Sequence, residues 1–266
     1  MAVKAPRSIR PRLVRLLDAD PDLGAGLEPA DLELARRYVV CETATLARGV
    51  HDPWKVGSED LLGLLVIDGL VIRSVQVAER RCGELAGPGA ILRPWDHFGT
   101  YAPLPFEVRW RVVNPVKLAM LDQRLVTIAA RWPSLMHAIV RRAVGRSHAL
   151  ALNVAIHSLQ HVELRLLVLF WHLADRFGRV TPEGTVVPLA LTHEDVAELV
   201  GAQRPSVSAR LSALSARGEL VRRADRTWLL PGNPPAELRD SRASATAVRA
   251  HGEGTAAQPL QLDRHT

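Results

Sequence analysis

The distribution of apolar positions divides this chain into a β-rich first half and a helical second half. From about residue 38 to 124 apolar residues come in short runs separated by turn residues. Examples are Leu64-Leu-Val-Ile-Asp-Gly-Leu-Val-Ile, Phe106-Glu-Val-Arg-Trp-Arg-Val-Val and Val116-Lys-Leu-Ala-Met-Leu. Such spacing predicts a small antiparallel roll or jelly-roll, and Asp68-Gly69, set between two apolar halves, predicts a hairpin turn there. Before it, Pro6, Pro11, Pro21, Gly24, Gly26 and Pro29 predict an irregular lead-in over residues 1–30.

After Pro133 the punctuation stops. Residues 134–160 contain no proline and a single glycine, Gly145, which predicts a long helix. Its apolar positions, among them Leu135, Ile139, Leu150, Val154 and Leu159, do not share one face. A helix apolar on more than one side needs two partners, and the simplest second partner is its own copy across a two-fold axis. Burial inside one larger domain is the alternative. A second helix is predicted over 162–176, ended by Gly178. The resulting organisation is a lead-in (1–30), a β-roll (31–125), a dimerisation helix region (126–160), a C-terminal region that opens on this second helix (161–231) and a disordered tail (232–266) rich in Pro, Arg, Ser and Gly.

The most informative segment is 191–214, Leu-Thr-His-Glu-Asp-Val-Ala-Glu-Leu-Val-Gly-Ala-Gln-Arg-Pro-Ser-Val-Ser-Ala-Arg-Leu-Ser-Ala-Leu. Thr192 is placed to cap a helix, with Glu194 and Asp195 favouring its positive end. Val196, Leu199 and Val200 make an apolar stripe, and Gly201 supplies the left-handed residue for a sharp turn. A second helix starts near Arg204, where Pro205 is tolerated because first-turn amides have no intrahelical partner. Turning Val207, Leu211 and Leu214 inward leaves Arg204, Pro205, Ser208 and Ala209 exposed, the part of a recognition helix that meets base edges in a major groove. Ser206, Arg210 and the capping Thr192 complete the candidate DNA-binding set on this motif. Beyond Gly218, residues 220–230 read as a tight hairpin, a wing, bearing Arg222, Arg223 and Arg226 as candidate phosphate contacts.

Composition agrees without deciding the matter. Lys and Arg number 34 against 28 Asp and Glu, a formal charge of +6, with a pI near 10.1, which permits contact with a polyanion. Two cysteines, Cys41 and Cys82, without Cys-x-x-Cys spacing, exclude a disulfide framework and a cysteine-based metal site and read as reduced, packed thiols of a cytoplasmic protein. No run is long and apolar enough to span a membrane, and no signal peptide is expected.

Segment 191–214 closely resembles the helix-turn-helix of the cyclic-AMP receptor and fumarate–nitrate regulator (Crp/Fnr) superfamily, roughly L-T-x-x-[DE]-[LI]-A-x-x-[VL]-G-x-x-R-x-[TS]-V-S-R. The resemblance extends from about residue 30 to 231. It implies an α+β chain with an N-terminal cyclic-nucleotide-binding-like β-roll, a long dimerisation helix and a C-terminal winged helix-turn-helix. It also implies a homodimer on double-stranded, two-fold operator DNA, with RNA polymerase as a further partner. Pro205 and Ala209 depart from the family, which commonly has a polar residue and Arg at those positions.

The family's nucleotide loop runs G-E-[LI]-[AG] with R-[ST] some ten residues later. Here Pro94 stands at the Glu, and Glu107 puts a carboxylate where the phosphate would lie; Leu150 and Ala151 replace helix hydroxyls that contact adenine in the cyclic-AMP receptor. Gating by a cyclic nucleotide is therefore not expected. Arg93 and Asp96 are the effector-loop candidates, read either as contacts to another ligand or as a loop salt bridge. His157 and His161 have helical metal-ligand spacing, but Glu163 is the only carboxylate near them, so no metal or cofactor is assigned. Trp95, Trp110 and Trp132 read as core or rim aromatics. A cupin-like metalloenzyme with an appended DNA-binding module would need clustered His and Glu, whereas His51 and His97 are isolated. A sensor acting through protein contacts is the other alternative. No nucleophile–base pair is evident, and no enzymatic activity is assigned.

Overall fold

Two fifteen-residue strands, β4 (Gly63–Val77) and β7 (Glu107–Leu121), are the spine of the N-terminal half. They belong to a computed structural model of the chain, in which residues 12–57, 60–93 and 106–234 are described. Around them lie β1 (Arg12–Arg15), β2 (Val40–Leu46), β3 (Gly49–His51), β5 (Arg80–Ala86) and β6 (Ile91–Leu92). The order is β1-β2-β7-β4-β5, with β3 on β7 and β6 on β4, and the pairs are antiparallel.

The continuous apolar run Leu64-Leu65-Val66 follows from burial on both faces of the sheet. Leu64 and Val66 join Val71, Leu92, Trp110, Val112 and Leu118 inside the roll. Leu65, between them in sequence, points the other way, into a cluster with Leu16, Leu17, Leu121, Leu125, Leu135 and Ile139 supplied largely by helices.

The predicted hairpin at Asp68-Gly69 is absent. β4 runs straight through these residues, and its turn comes at Ala78-Glu79, before β5. The glycine is needed for a bulge instead. Pairing with β7 shifts register at Val66/Asp68, Asp68/Leu70 and Leu70/Val71, opposite Pro115, which cannot donate to the ladder. Gly69 has φ +87°, its amide donates to Asp68 Oδ1 at 2.8 Å, and a Cβ there would lie 2.1 Å from the Pro115 carbonyl oxygen. The same bulge joins the two runs 106–113 and 116–121 into the single strand β7.

The expected irregular lead-in is also ordered from Arg12 onward. β1 pairs with β2; α1 (Leu16–Ala19), a 3-10 turn (Pro21–Gly24) and α2 (Pro29–Tyr38) follow. Pro21 and Pro29 open these helical segments, because a first-turn proline forfeits no helical hydrogen bond. Residues 1–11 and the expected tail beyond residue 234 lie outside the described residues.

Asp122 caps α3 (Gln123–Ala129) by accepting from the Leu125 amide at 2.7 Å. The long helix α4 (Pro133–Ser158) follows. Arg142 of α4 forks onto Asp20, its Nη2 donating to Oδ1 at 2.8 Å and its Nη1 to Oδ2, so the N-terminal segment is tied to α4 by a paired, half-buried charge. Next come α5 (Val162–Phe177), β8 (Arg179–Thr181), β9 (Gly184–Val187), α6 (His193–Val200), α7 (Arg204–Ala216), β10 (Val221–Arg222) and β11 (Trp228–Leu230).

The chain divides into two compact units, Met1–Leu169 with Ala190–Ala213, and Phe170–Leu189 with Leu214–Thr266. The second contains the sheet β10-β11-β9-β8, with Phe170 and Trp228 in ring contact at 4.7 Å between centroids. No described helix is long and apolar enough to cross a membrane.

Candidate nucleic-acid interface

The helix-turn-helix begins at a reciprocal cap. Thr192 Oγ1 accepts from the Asp195 amide at 3.2 Å and donates to Asp195 Oδ2 at 2.6 Å, while the Thr192 amide donates to the same carboxylate oxygen at 2.8 Å. Two orphan first-turn amides are satisfied at once. Thr192 thus has its hydroxyl committed to the helix start. α6 buries Val196, Leu199 and Val200 and ends at Gly201, whose φ of +61° turns the chain into α7. A Cβ at Gly201 would also meet the His157 ring at 2.4 Å.

Along α7, Val207 and Leu211 are buried while Arg204, Pro205, Ser206, Ala209 and Arg210 are exposed, the partition expected from the apolar spacing. Ser208 is half-buried, with its hydroxyl 2.9 Å from His193 Nδ1. His193 was missed in the sequence because nothing in one dimension shows that the first residue of α6 touches the second turn of α7.

The wing is short. β10 and β11 pair through Val221–Leu229 and Arg222–Trp228. Its tip is held by Asp225, whose Oδ1 accepts from the Thr227 amide at 2.9 Å and the Thr227 hydroxyl at 2.6 Å. Those hydrogen bonds hold the Asp225 carboxyl below its ordinary pKa. Arg226 takes φ +69° there. Arg222, Arg223 and Arg226 are all exposed, and Arg222 lies over the Trp228 ring at 5.5 Å.

Of the effector-loop candidates, Asp96 lies outside the described residues, as do Pro94, Trp95 and His97. Arg93 Nη1 donates to the Leu61 and Leu62 carbonyls at 2.9 and 3.1 Å. Trp110 is buried in the roll, and Trp132 packs in the helical cluster with its indole donating to Asp31 at 3.2 Å. His157 Nδ1 lies 2.6 Å from the Asn153 carbonyl and 3.6 Å from Cys82 Sγ. Among the described residues no group of three His, Cys, Asp or Glu could hold a metal.

The two cysteines differ, contrary to their common reading as packed thiols. Cys41 is buried, and burial together with Asp122 pushes its pKa to about 12. Cys82, near the hairpin tip, is exposed; partial burial of its thiol, and then Glu84, raises its pKa.

On α4, Leu135 and Ile139 are buried. Val140, Val144, Ser147, Ala151, Val154 and Ser158, spaced alternately by four and three, are all exposed, the three valines at 51%, 52% and 66%. That is heptad spacing along a face that one chain leaves uncovered.

Sequence reasoning missed a set of charges joining the roll to the helices. Arg111 on β7 donates to Glu198 Oε2 on α6 at 3.1 Å, and Asp195 lies 3.9 Å from the same guanidinium. Glu84 on β5 receives Arg73 at 3.3 Å and Arg146 of α4 at 2.6 Å. Partners so distant in sequence leave no spacing signature.

A β-roll, a long helix and a winged helix-turn-helix follow one another in this order along the chain. Residues 164–231 match the Crp-like helix-turn-helix domain family. The fold is similar to that of a CooA mutant from Carboxydothermus hydrogenoformans, at 18% identity over 80% of this chain and 90% of that one, with a TM-score of 0.55. It is similar also to the c-di-GMP responsive regulator CLP of Xanthomonas campestris (20% identity, 73% and 95% covered, TM-score 0.53) and to FixK2 of Bradyrhizobium japonicum (16%, 72% and 93%, TM-score 0.51). No curated protein matches the chain significantly. Residues 164–231 thus carry a Crp-like helix-turn-helix domain, on a chain whose fold is similar to those of these structures.

Proposed function

We propose that this protein is a transcription regulator that binds a palindromic operator as a homodimer and is not gated by a cyclic nucleotide. The observation that carries the reading is the partition of α7, with Val207 and Leu211 buried and Arg204 exposed at its first turn. Arg204 has the fork geometry that reads guanine O6 and N7. Pro205 has no side-chain donor and Ala209 offers at most a methyl contact, so Arg204 carries most of the direct base readout. Arg222, Arg223 and Arg226 of the wing act as phosphate anchors. The half-sites are centred roughly one helical turn, about 10 base pairs, apart. RNA polymerase is the partner that a promoter-proximal regulator of this type engages.

The test is binding of purified protein to a duplex selected from a random pool and to its scrambled version, across several salt concentrations. Arg204→Ala is expected to cost about 1–3 kcal/mol on the selected site and to relax preference at one base pair per half-site. Arg223→Ala is expected to weaken both duplexes alike and to flatten the salt slope by about one unit for each neutralised charge. An equal loss on both duplexes for Arg204→Ala would reassign specificity to DNA deformability.

Absence of cyclic-nucleotide gating is supported by Pro94, Glu107, Leu150 and Ala151, where a ribose acceptor, a phosphate ligand and adenine-contacting hydroxyls are missing. Calorimetric titration with cyclic AMP and cyclic GMP is expected to give no dissociation constant at or below about 10 μM, near −7 kcal/mol. Tighter binding overturns the reading.

A further inference from the structure

The β4–β5 hairpin of the roll does not stand apart from the helix-turn-helix. Gly83 on β5 lies directly against α6: a Cβ there would sit 3.0 Å from the Glu198 carbonyl oxygen and 3.1 Å from Glu198 Cγ. Beside this backbone approach is the Arg111–Glu198 pair at 3.1 Å. The Glu198 side chain is only 4% exposed, and its second carboxylate oxygen has no hydrogen-bond partner among the described residues. A buried pair left half-satisfied adds little stability, but it fixes one arrangement, because separating it would strand a buried charge.

Fixing α6 on β5 fixes what lies at the hairpin tip. The turn passes through Ala78 at φ +51° and is followed by Arg80 and Arg81. Arg81 is steadied by Gln76, which accepts from its Nη2 at 2.6 Å, and Arg80 is exposed. An open cleft of about 730 Å³ is bounded by Val77, Arg80, Arg81 and Cys82 on the hairpin side and by Arg204 and Pro205 at the start of α7. The carboxylates Glu79, Glu194 and Glu198 also line it, alongside Arg165. Two hairpin arginines therefore line the same cleft as the residue assigned to base readout.

We propose that the β4–β5 hairpin is a further DNA-contacting element, in which Arg80 and Arg81 neutralise backbone phosphates beside the step read by Arg204. The inference rests on the DNA-binding reading and extends it to residues outside the helix-turn-helix. A duplex presents a negative charge about every 1.7 Å of its axis. Cations at the edge of a cleft holding the recognition-helix tip meet those phosphates whenever the helix enters its groove. A small anion fits less well, since the arginines stand on an open rim rather than converging on one point.

The experiment uses the full chain and the selected operator, with scrambled duplex as reference, over a salt series. The R80A/R81A double variant removes two charges at an exposed turn. It is expected to weaken both duplexes alike, by about tenfold or more at moderate salt, and to make the salt slope of the bound dimer shallower by about 3.6 units, 0.9 for each of the two phosphates met by each protomer. R80A alone, which leaves the Arg81–Gln76 bond intact, is expected to give about half that change in slope. The R111A/E198A variant keeps net charge but releases the hairpin from α6. On that background the R80A/R81A change in slope is expected to shrink by at least half, as coupled sites behave. Unchanged affinity and slope in R80A/R81A, with wild-type protein binding its operator, overturns the inference alone. So does unchanged DNA binding combined with lost binding to a polyglutamate probe, which would assign the rim to an acidic protein. Wild-type protein that binds no duplex overturns the DNA-binding reading as well.

Discussion

Gly69→Val is expected to lower the stability of the roll by about 3–4 kcal/mol or more, placing it among the most damaging single substitutions in the chain. Two independent penalties act there. A β-branched residue at φ +87° occupies backbone space that its side chain disfavours. Its Cβ would also lie 2.1 Å from the Pro115 carbonyl oxygen, a backbone atom that cannot rotate away. Relief requires β4 and β7 to separate where their register already shifts. Gly49→Ala provides the comparison, since Gly49 has φ +139° but would place nothing within 4 Å of a new Cβ. Its loss should be confined to backbone strain, about 1–3 kcal/mol. Urea unfolding of both variants and wild type measures the difference; equal losses would mean that the contact with Pro115 yields freely.

Val144→Asp is expected to convert the protein from dimer to monomer and to weaken operator binding by at least about 100-fold, the equivalent of roughly 3 kcal/mol. Val144 lies mid-seam in the heptad-spaced face of α4 and is 52% exposed in the single chain. The substitution therefore costs the isolated fold little. Across a two-fold axis it would bring two carboxylates together in an apolar seam, where burial of unpaired charge is heavily disfavoured. Val144→Leu keeps the seam apolar and should preserve the dimer. Sedimentation at micromolar concentration should give about twice 29.2 kDa for wild type and a mass near 29.2 kDa for the aspartate variant. An aspartate variant that remains dimeric would remove α4 from the interface.

Helices were legible in the sequence where local signals were self-consistent. Thr192, Asp195, Gly201 and the Val207/Leu211 spacing act within one or two helical turns, so capping and amphipathicity read directly from the residues. The roll was legible in kind but not in connection. Asp68-Gly69 has the composition of a two-residue hairpin, yet it serves a bulge because its true partner, Pro115, lies far along the chain. Pro21 and Pro29 misled in the opposite direction, since a proline that opens a helix looks like one that forbids it. At the candidate interface, the arginines of α7 and the wing followed from charge and exposure. The Arg111–Glu198 pair and the approach of Gly83 to α6 did not, because both depend on a tertiary meeting of segments more than eighty residues apart.

The strand order carries a kinetic consequence. β2, ending at Leu46, pairs with β7, which ends at Leu121, and β4 must find the same strand. During synthesis the edges of β2 and β4 that will face β7 remain unpaired until the residues of β7 have left the ribosome. Non-local pairing of this kind is slow, since loop closure precedes any gain from contact. The newly made roll should therefore fold on a scale of milliseconds to seconds, after α2 has had time to form locally, and pass through its most aggregation-prone stage just before β7 inserts.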